Sequence, residues 1–155
     1  MKSAIYYLSP HHRNTHQVAE IIGETLEAEL FDLKNDSLEK PKEFELLGFG
    51  SGIYYRKHHR DLLNFVDELP EMPDKKVFVF STSGFRKVPL LNPLHRHLKE
   101  ILKEKKVELL DEFTCRGYDT YGPLKWIGGM RKGHPDEKDL ERARQFARKI
   151  NKQSG

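Results

Sequence analysis

Two histidines and an arginine stand where a short apolar run gives way to a helical pattern. The apolar run covers residues 5–8, and the helical spacing of apolar residues begins at Val18. Free N–H groups and the dipole at the start of a helix favour an anion, and the polar loop adds side-chain donors and positive charge. The loop could therefore hold one phosphate group, or it could be a polar turn that only caps the helix. Its residues are Ser9, Pro10, His11, His12, Arg13, Asn14 and Thr15.

The other reactive side chains do not form a recognisable catalytic or metal-binding set. Cys115 is the only cysteine, so it cannot form an intramolecular disulfide, and we expect a buried thiol instead of a nucleophile. His12 and His16 are four residues apart, but His12 is expected to precede the helix. His95 and His97 are two residues apart and would point to different sides of a helix. We therefore expect no metal site.

Composition predicts one globular domain over residues 1–155. Hydrophobic residues make up 37% of the chain and charged residues 33%, with a formal net charge of +3. No apolar run approaches the ~18 residues of a membrane span. The charges alternate in sign, as in LKEILKEKKVELLDE, which favours a solvated surface over a nucleic-acid interface. The single cysteine and an N-terminus that enters the first strand directly favour a cytoplasmic protein without a signal peptide.

Apolar periodicity predicts strands that alternate with helices. Strands are expected at about 3–8, 30–33, 46–51, 76–82 and 107–115, and helices at about 15–28, 57–69, 92–105 and from Pro135 onward. This alternation implies right-handed crossovers and a parallel sheet with helices on both faces. Five strands in this length suit an α/β three-layer sandwich with strand order 2-1-3-4-5, the flavodoxin-like order.

Ligands in such sheets bind beyond the carboxyl ends of the strands, where the strand order reverses. The loops that leave the first, third, fourth and fifth strands should meet there. They are residues 9–15, 51–58, 81–89 and 115–134, the most unusual parts of the sequence.

The motifs of these loops resemble those of the flavodoxin family. SPHHRNT followed by VAEII is similar to the phosphate loop of flavodoxins, and the resemblance continues through GFGSGIYYRKHHRDLLNFV, VFVFSTSG, EFTCRGYDT and KGHPDEKDLERARQFA. It is strongest to small flavodoxin-domain proteins with a His-His pair in the first loop. The resemblance implies a bound flavin mononucleotide (FMN) and redox chemistry.

The resemblance assigns a part of the cofactor to each loop. The first loop would hold the phosphate, and the second and third would hold the isoalloxazine ring with tyrosine faces, backbone groups and hydroxyls. Gly52 would permit a peptide flip as the flavin gains a proton. A fourth segment would contribute less. The ring segments are Ser51, Gly52, Ile53, Tyr54 and Tyr55; Ser81, Thr82, Ser83, Gly84 and Phe85; and Cys115, Arg116, Gly117 and Tyr118.

Two features of this chain depart from the family's acidic electron carriers. Arg13 stands where the family usually has glycine, and we expect a contact between its guanidinium group and the phosphate to offset any backbone strain. Residues 56–60 are all basic, so we expect a second reduction step that is less negative than in an acidic flavodoxin. The same cations suggest an acidic redox partner protein, or an anionic substrate such as a reduced pyridine nucleotide or a sulfonated quinone.

Related folds offer two rival chemistries, which the residues disfavour. A low-molecular-weight tyrosine phosphatase needs a cysteine after the first strand, where this chain has Ser9-Pro10. A receiver domain needs acidic residues there and an aspartate that ends the third strand. GFGSG follows the third strand and lacks the spacing of a dinucleotide-binding loop.

Three functions remain open at this point. The first is electron transfer between proteins, and the second is an FMN-dependent NAD(P)H:quinone-type oxidoreductase. The third is a non-redox binding module that has lost the flavin.

Overall fold

A parallel sheet of five strands forms the centre of the protein in the computed structural model. The structure describes residues 1–9, 14–34, 41–54, 57–83, 95–116 and 135–155, and only the backbone of Tyr54, Lys57 and Arg116. The strands are β1 (Ser3–Leu8), β2 (Glu29–Asp32), β3 (Leu46–Tyr54), β5 (Lys76–Ser83) and β6 (Glu108–Arg116), and the short β4 (Lys57–His58) pairs antiparallel with β3. The order β2-β1-β3-β5-β6 confirms the predicted topology.

Helices cover both faces of this sheet and bury two separate apolar clusters. The helices are α1 (Asn14–Leu26), α2 (Arg60–Asp67), α3 (Arg96–Glu104) and α4 (Glu137–Ser154). On one face, α1 and α4 pack with residues such as Phe78, Phe80 and Phe146. On the other, α2 and α3 pack with residues such as Tyr6, Phe49 and Leu98. In the described part of the chain, no helix is long and apolar enough to span a membrane.

The region after β3 differs from the sequence prediction. A helix was predicted over 57–69, but Lys57 and His58 pair antiparallel with Tyr54 and Ile53, and β3 therefore runs past its predicted end at Ser51. The helix begins only at Arg60, because the imidazole of His59 accepts a hydrogen bond from the amide of Asp61 and caps the first turn.

The last helix also begins later than predicted. Asp136 is its N-cap, and its carboxylate accepts from the amide of Asp139 at 2.9 Å. The Asp139 carboxylate accepts in return from the amide of Asp136 at 3.0 Å, which completes a capping box. Pro135 therefore precedes the cap and does not lie in the first turn.

Two glycines of β3 make room for the aromatic core. A Cβ atom on Gly48 would lie 2.4 Å from the ring of Phe78, and one on Gly50 would lie 2.3 Å from the ring of Phe80. Both rings come from the neighbouring strand β5 and lie directly over the β3 backbone. Gly48 and Gly50 of GFGSG thus have a packing role, which agrees with rejecting a dinucleotide-binding loop.

Candidate functional site

Residues of the predicted site lie on adjacent rungs at the carboxyl edge of the sheet. Ser51 pairs with Leu8 on one side and with Ser81 on the other, and Ser81 pairs with Thr114. On the next rung, Gly52 pairs with Thr82, and Thr82 pairs with Cys115. The strand register therefore brings the described parts of the second, third and fourth segments side by side.

The start of α1 joins this edge through a buried hydrogen bond. The hydroxyl oxygens of Thr15 and Thr82 lie 2.9 Å apart, and both residues are almost fully buried. Ser9 Oγ accepts from the amide of His16 at 3.3 Å, so it satisfies one N–H group of the first helical turn. These contacts place the helix N-terminus beside the end of β5.

His16 links the side chains of Tyr7 and Glu20, and the sequence analysis did not include these contacts in the predicted site. Its Nδ1 atom bonds the hydroxyl of Tyr7 on β1, and its Nε2 atom lies 2.7 Å from a carboxylate oxygen of Glu20. These two contacts hold the imidazole against the sheet at the start of α1. Tyr7 was expected only as part of an apolar run, because a strand pattern does not show where a phenol oxygen points.

Ser51 is held by a histidine from the β3–β4 hairpin. Its Oγ donates to the carbonyl of Gly52 at 2.7 Å, accepts from the amide of His59 at 3.0 Å, and lies 2.9 Å from Nδ1 of His58. The Gly52 peptide is therefore held in one orientation at the first residues of the predicted ring-binding segment.

Ser81 is held in the same way by a histidine at the start of α3. Its Oγ lies 2.7 Å from Nε2 of His95 and 3.0 Å from Oγ1 of Thr114. Nδ1 of His95 lies 3.4 Å from a carboxylate oxygen of Glu112, which also forms an ion pair with Lys99 at 2.8 Å. This network ties the ends of β5 and β6 to the first turn of α3.

His58 and His95 contact each other in a buried pair. Their ring centroids lie 4.9 Å apart, and the residues are 2% and 1% exposed. Burial lowers the pKa of His58 well below its usual value, and His95 lowers it further, while Glu112 raises it. His58 is thus neutral at pH 7, and counting it among the surface cations of residues 56–60 was wrong.

Cys115 lies on the opposite face of the sheet, in the cluster with α1 and α4. It is 3% exposed, and burial raises its thiol pKa to about 12, with smaller contributions from nearby charges. The thiol is protonated at neutral pH and behaves as a small apolar side chain. The expectation of a buried cysteine is confirmed.

Several predicted site residues lie outside the described part of the chain. For Tyr54 and Arg116 only the backbone is described, and Ile53 lies half-buried at the hairpin opposite His58. Outside the described residues are Pro10, His11, His12, Arg13, Tyr55, Gly84, Phe85, Gly117 and Tyr118.

The donors present at this edge fit a phosphorylated cofactor. Neutral hydroxyl and amide groups stand at the described ends of the first and third loops, and groups of this kind can donate to phosphate oxygens without repelling them. They are Ser9, Asn14, Thr15, Thr82 and Ser83. Among the described residues, no group of three or more histidines, cysteines and carboxylates could hold a metal ion.

Comparison with known proteins gives consistent matches over nearly the whole chain. Residues 4–124 match the family model described as a flavodoxin domain. An uncharacterised protein from Methanocaldococcus jannaschii is 42% identical over 153 residues, which are 98% of this chain and 99% of that protein.

Solved structures with the same fold include flavodoxins. A flavodoxin from the domain Archaea has a TM-score of 0.72 and 22% identity, with 99% of each chain covered. Flavodoxin 1 from Bacillus cereus has a TM-score of 0.70 and 16% identity, with 97% of this chain and 98% of that chain covered. The rubredoxin oxygen:oxidoreductase from Desulfovibrio gigas has a TM-score of 0.69 and 14% identity, with 99% of this chain and 36% of that chain covered.

Proposed function

Since this chain belongs to the flavodoxin-domain family, we propose that it binds one FMN non-covalently and transfers electrons between redox proteins. The observation that carries the proposal is the hydrogen bond between Thr15 and Thr82. It joins the helix start that would hold an anion to the strand end that would contact a ring. A mononucleotide needs these two kinds of surface side by side.

Each segment has a defined part in this proposal. The loop from Ser9 to Thr15 would hold the phosphate, residues 51–55 and 81–85 would contact the ring, and residues 115–118 would complete the pocket. The flavin itself supplies the redox chemistry. The side chains bind it, orient it and exclude water, and the bonds to His58 and His95 fix Ser51 and Ser81 at the start of both ring segments.

The proposal is tested by titrating the flavin-free protein with FMN and, as a matched control, with riboflavin. Riboflavin carries the same ring but no phosphate. We expect FMN to bind at least tenfold more tightly, with its visible absorbance spectrum shifted and its fluorescence changed. Equal affinity for both ligands would argue against the phosphate site, and no binding of either would support the module that has lost its flavin.

Arg13 lies outside the described residues, and its phosphate contact is part of the proposal. Arg13→Gly is expected to weaken FMN binding and to leave riboflavin binding unchanged, because only FMN has the phosphate. Unchanged or tighter FMN binding would rule the contact out.

Electron transfer is distinguished from a stand-alone oxidoreductase by steady-state kinetics. We expect the FMN-loaded protein alone to oxidise a reduced pyridine nucleotide slowly, and to be reduced rapidly once a reductase is added. Rapid turnover without the reductase would favour the quinone-reductase type of activity. The basic residues of the β3–β4 hairpin region would suit an acidic partner protein.

A further inference from the structure

A pair of contacting imidazoles, those of His58 and His95, links the two segments proposed to contact the flavin ring, residues 51–55 and 81–85. His58 bonds Ser51 at 2.9 Å, and His95 bonds Ser81 at 2.7 Å. Both serines lie on one rung of the sheet, and both imidazoles are buried and stand 4.9 Å apart. A change of charge on either imidazole therefore acts next to the first residue of both segments.

The hydrogen bonds around Ser51 define the proton on His58. The single hydroxyl proton of Ser51 goes to the carbonyl of Gly52, and the amide of His59 donates to Oγ. Nδ1 of His58 must then donate to Oγ, which leaves Nε2 unprotonated. Among the described residues, this buried Nε2 atom has no hydrogen-bond partner, so it is an acceptor that can take a proton.

The charged groups around the pair come from three elements. Glu112 of β6 lies 3.4 Å from Nδ1 of His95, and Lys99 of α3 pairs with the same carboxylate. Arg60 and Asp61 of α2 are exposed. From β3 and β5, the hydroxyls of Ser51 and Ser81 contact the pair. Glu112 is thus an anion in contact with His95, and its carboxylate also forms an ion pair with Lys99.

We propose that the His58–His95 pair binds one proton when the flavin of the proposed function is reduced, and releases it on oxidation. This inference rests on the proposed function. The pair takes the proton from solvent, while the electron from the redox partner goes to the bound cofactor, so the site gains no net charge. The added negative charge at the strand ends favours a cation beside it. Only one proton binds, because two imidazolium rings in contact would repel each other, and the proton belongs to the pair as a whole.

The direct test is a pH titration of the imidazole carbon-bound proton resonances by NMR. It is made on the FMN-loaded protein, once oxidised and once fully reduced with dithionite. We expect the apparent pKa of the pair to rise by at least one pH unit on reduction. An apparent pKa that is the same in both oxidation states would overturn the proposal, and this measurement needs no variant.

The pH dependence of the midpoint potential gives a second readout. At pH values between the apparent pKa of the pair in the oxidised protein and that in the reduced protein, one proton is taken up per electron, which changes the equilibrium tenfold per pH unit, or about 59 mV for a one-electron couple. His58→Asn keeps a donor toward Ser51 and removes the proton acceptor, so the potential should depend less steeply on pH than in the unmodified protein. The control His59→Asn removes a neighbouring imidazole and keeps a good N-cap for α2, so it should keep the original slope.

The outcomes separate this inference from the proposed function. If FMN does not bind, the proposed function fails, and the absorbance spectrum shows it before any titration. If FMN binds and is reduced, but the slope is equal in His58→Asn, His59→Asn and the unmodified protein, only the proton site is overturned. Equal loss of slope in both variants would also overturn it, because the effect would not be specific to the pair.

Discussion

The hydroxyl oxygens of Thr15 and Thr82 lie 2.9 Å apart and link the first turn of α1 to the last residues of β5. These residues are far apart in the chain and share no local pattern. Their contact makes two predicted ligand-binding segments into neighbours.

Replacing Thr82 with valine should destabilise the protein. Valine keeps the shape but leaves the buried Thr15 hydroxyl without this partner, and we expect a loss of about 1–3 kcal/mol in the free energy of unfolding. In urea denaturation, the double variant Thr15→Val/Thr82→Val should cost less than the sum of the single variants. The control Thr25→Val removes a bond to the carbonyl of Ile21 in the same helix and should cost less than about 1 kcal/mol. Strictly additive effects would contradict a coupled pair.

Gly50→Ala should destabilise the core. The added Cβ would lie 2.3 Å from the Phe80 ring, and overpacking of this kind costs about 1–3 kcal/mol. Thermal denaturation should show a lower melting temperature, and Phe80→Leu in the same chain should recover part of the loss, because leucine is shorter than the ring. A stable Gly50→Ala variant, or a double variant with no recovery, would show that the strand accommodates the methyl group by moving.

The thiol of Cys115 should be inert in the folded protein. Its pKa is raised to about 12, so the reactive thiolate is scarce at pH 8. An aromatic disulfide reagent that releases a coloured thiolate should react with it only after denaturation. Rapid reaction of the folded protein would contradict the buried position.

The same raised pKa should make stability fall at alkaline pH. The pKa of the thiol is 9.0 in the unfolded chain and about 12 in the folded protein, so the stabilising difference is complete below pH 9.0 and is lost as the pH rises toward 12. The slope from this group is at most about 1.4 kcal/mol per pH unit. In urea denaturation at several pH values, Cys115→Ala should lack this part of the slope.

Stability should also fall on the acid side because of His58. Its folded-state pKa lies well below 6.5, so its contribution is complete above pH 6.5 and is lost as the pH falls toward the folded-state value. His58→Asn should therefore lose less stability between pH 7 and 5 than the unmodified protein does, whereas His97→Asn, which removes an exposed imidazole of α3, should follow the unmodified protein. Identical acid slopes in all three proteins would contradict a neutral buried His58.

The second reduction step of the FMN-loaded protein should be less negative than that of an acidic flavodoxin. The net charge of +3 and the exposed Arg60 near the hairpin stabilise a reduced, negatively charged cofactor. Arg60→Glu should make the potential more negative. The matched control Lys152→Glu lies near the end of α4, whose Ser154 carbonyl contacts Lys76 at the start of β5, the opposite edge of the sheet. A potential as low as that of an acidic flavodoxin, or equal shifts in both variants, would contradict this expectation.

The topology and both helix faces could be predicted because they depend on local periodicity and a strong rule for crossovers. The start of α2 could not be predicted, because Lys57 and His58 lie outside the helix only as a result of their pairing with β3. Period alone does not distinguish a short hairpin from a first helical turn. The start of α4 was also predicted too early, because the sequence analysis began the helix at Pro135, whereas Asp136 is its N-cap.

The His58–His95 pair was missed for a different reason. The sequence shows His58 inside a run of basic residues, which is typical of a surface, and the predicted helices 57–69 and 92–105 place both histidines in a first helical turn. Their contact and burial depend on two segments that meet only in the folded chain. A histidine at the start of a helix gives no local signal of whether it faces solvent or the neighbouring helix.

The glycines of β3 imply a constraint on how related sequences can diverge. The Phe80 ring occupies the space that a side chain at position 50 would need, and Phe78 does the same for position 48. The two positions of each pair cannot change independently. Homologues with alanine or serine at position 50 should carry a smaller residue at position 80, so the glycine–phenylalanine pairs should covary as units during evolution.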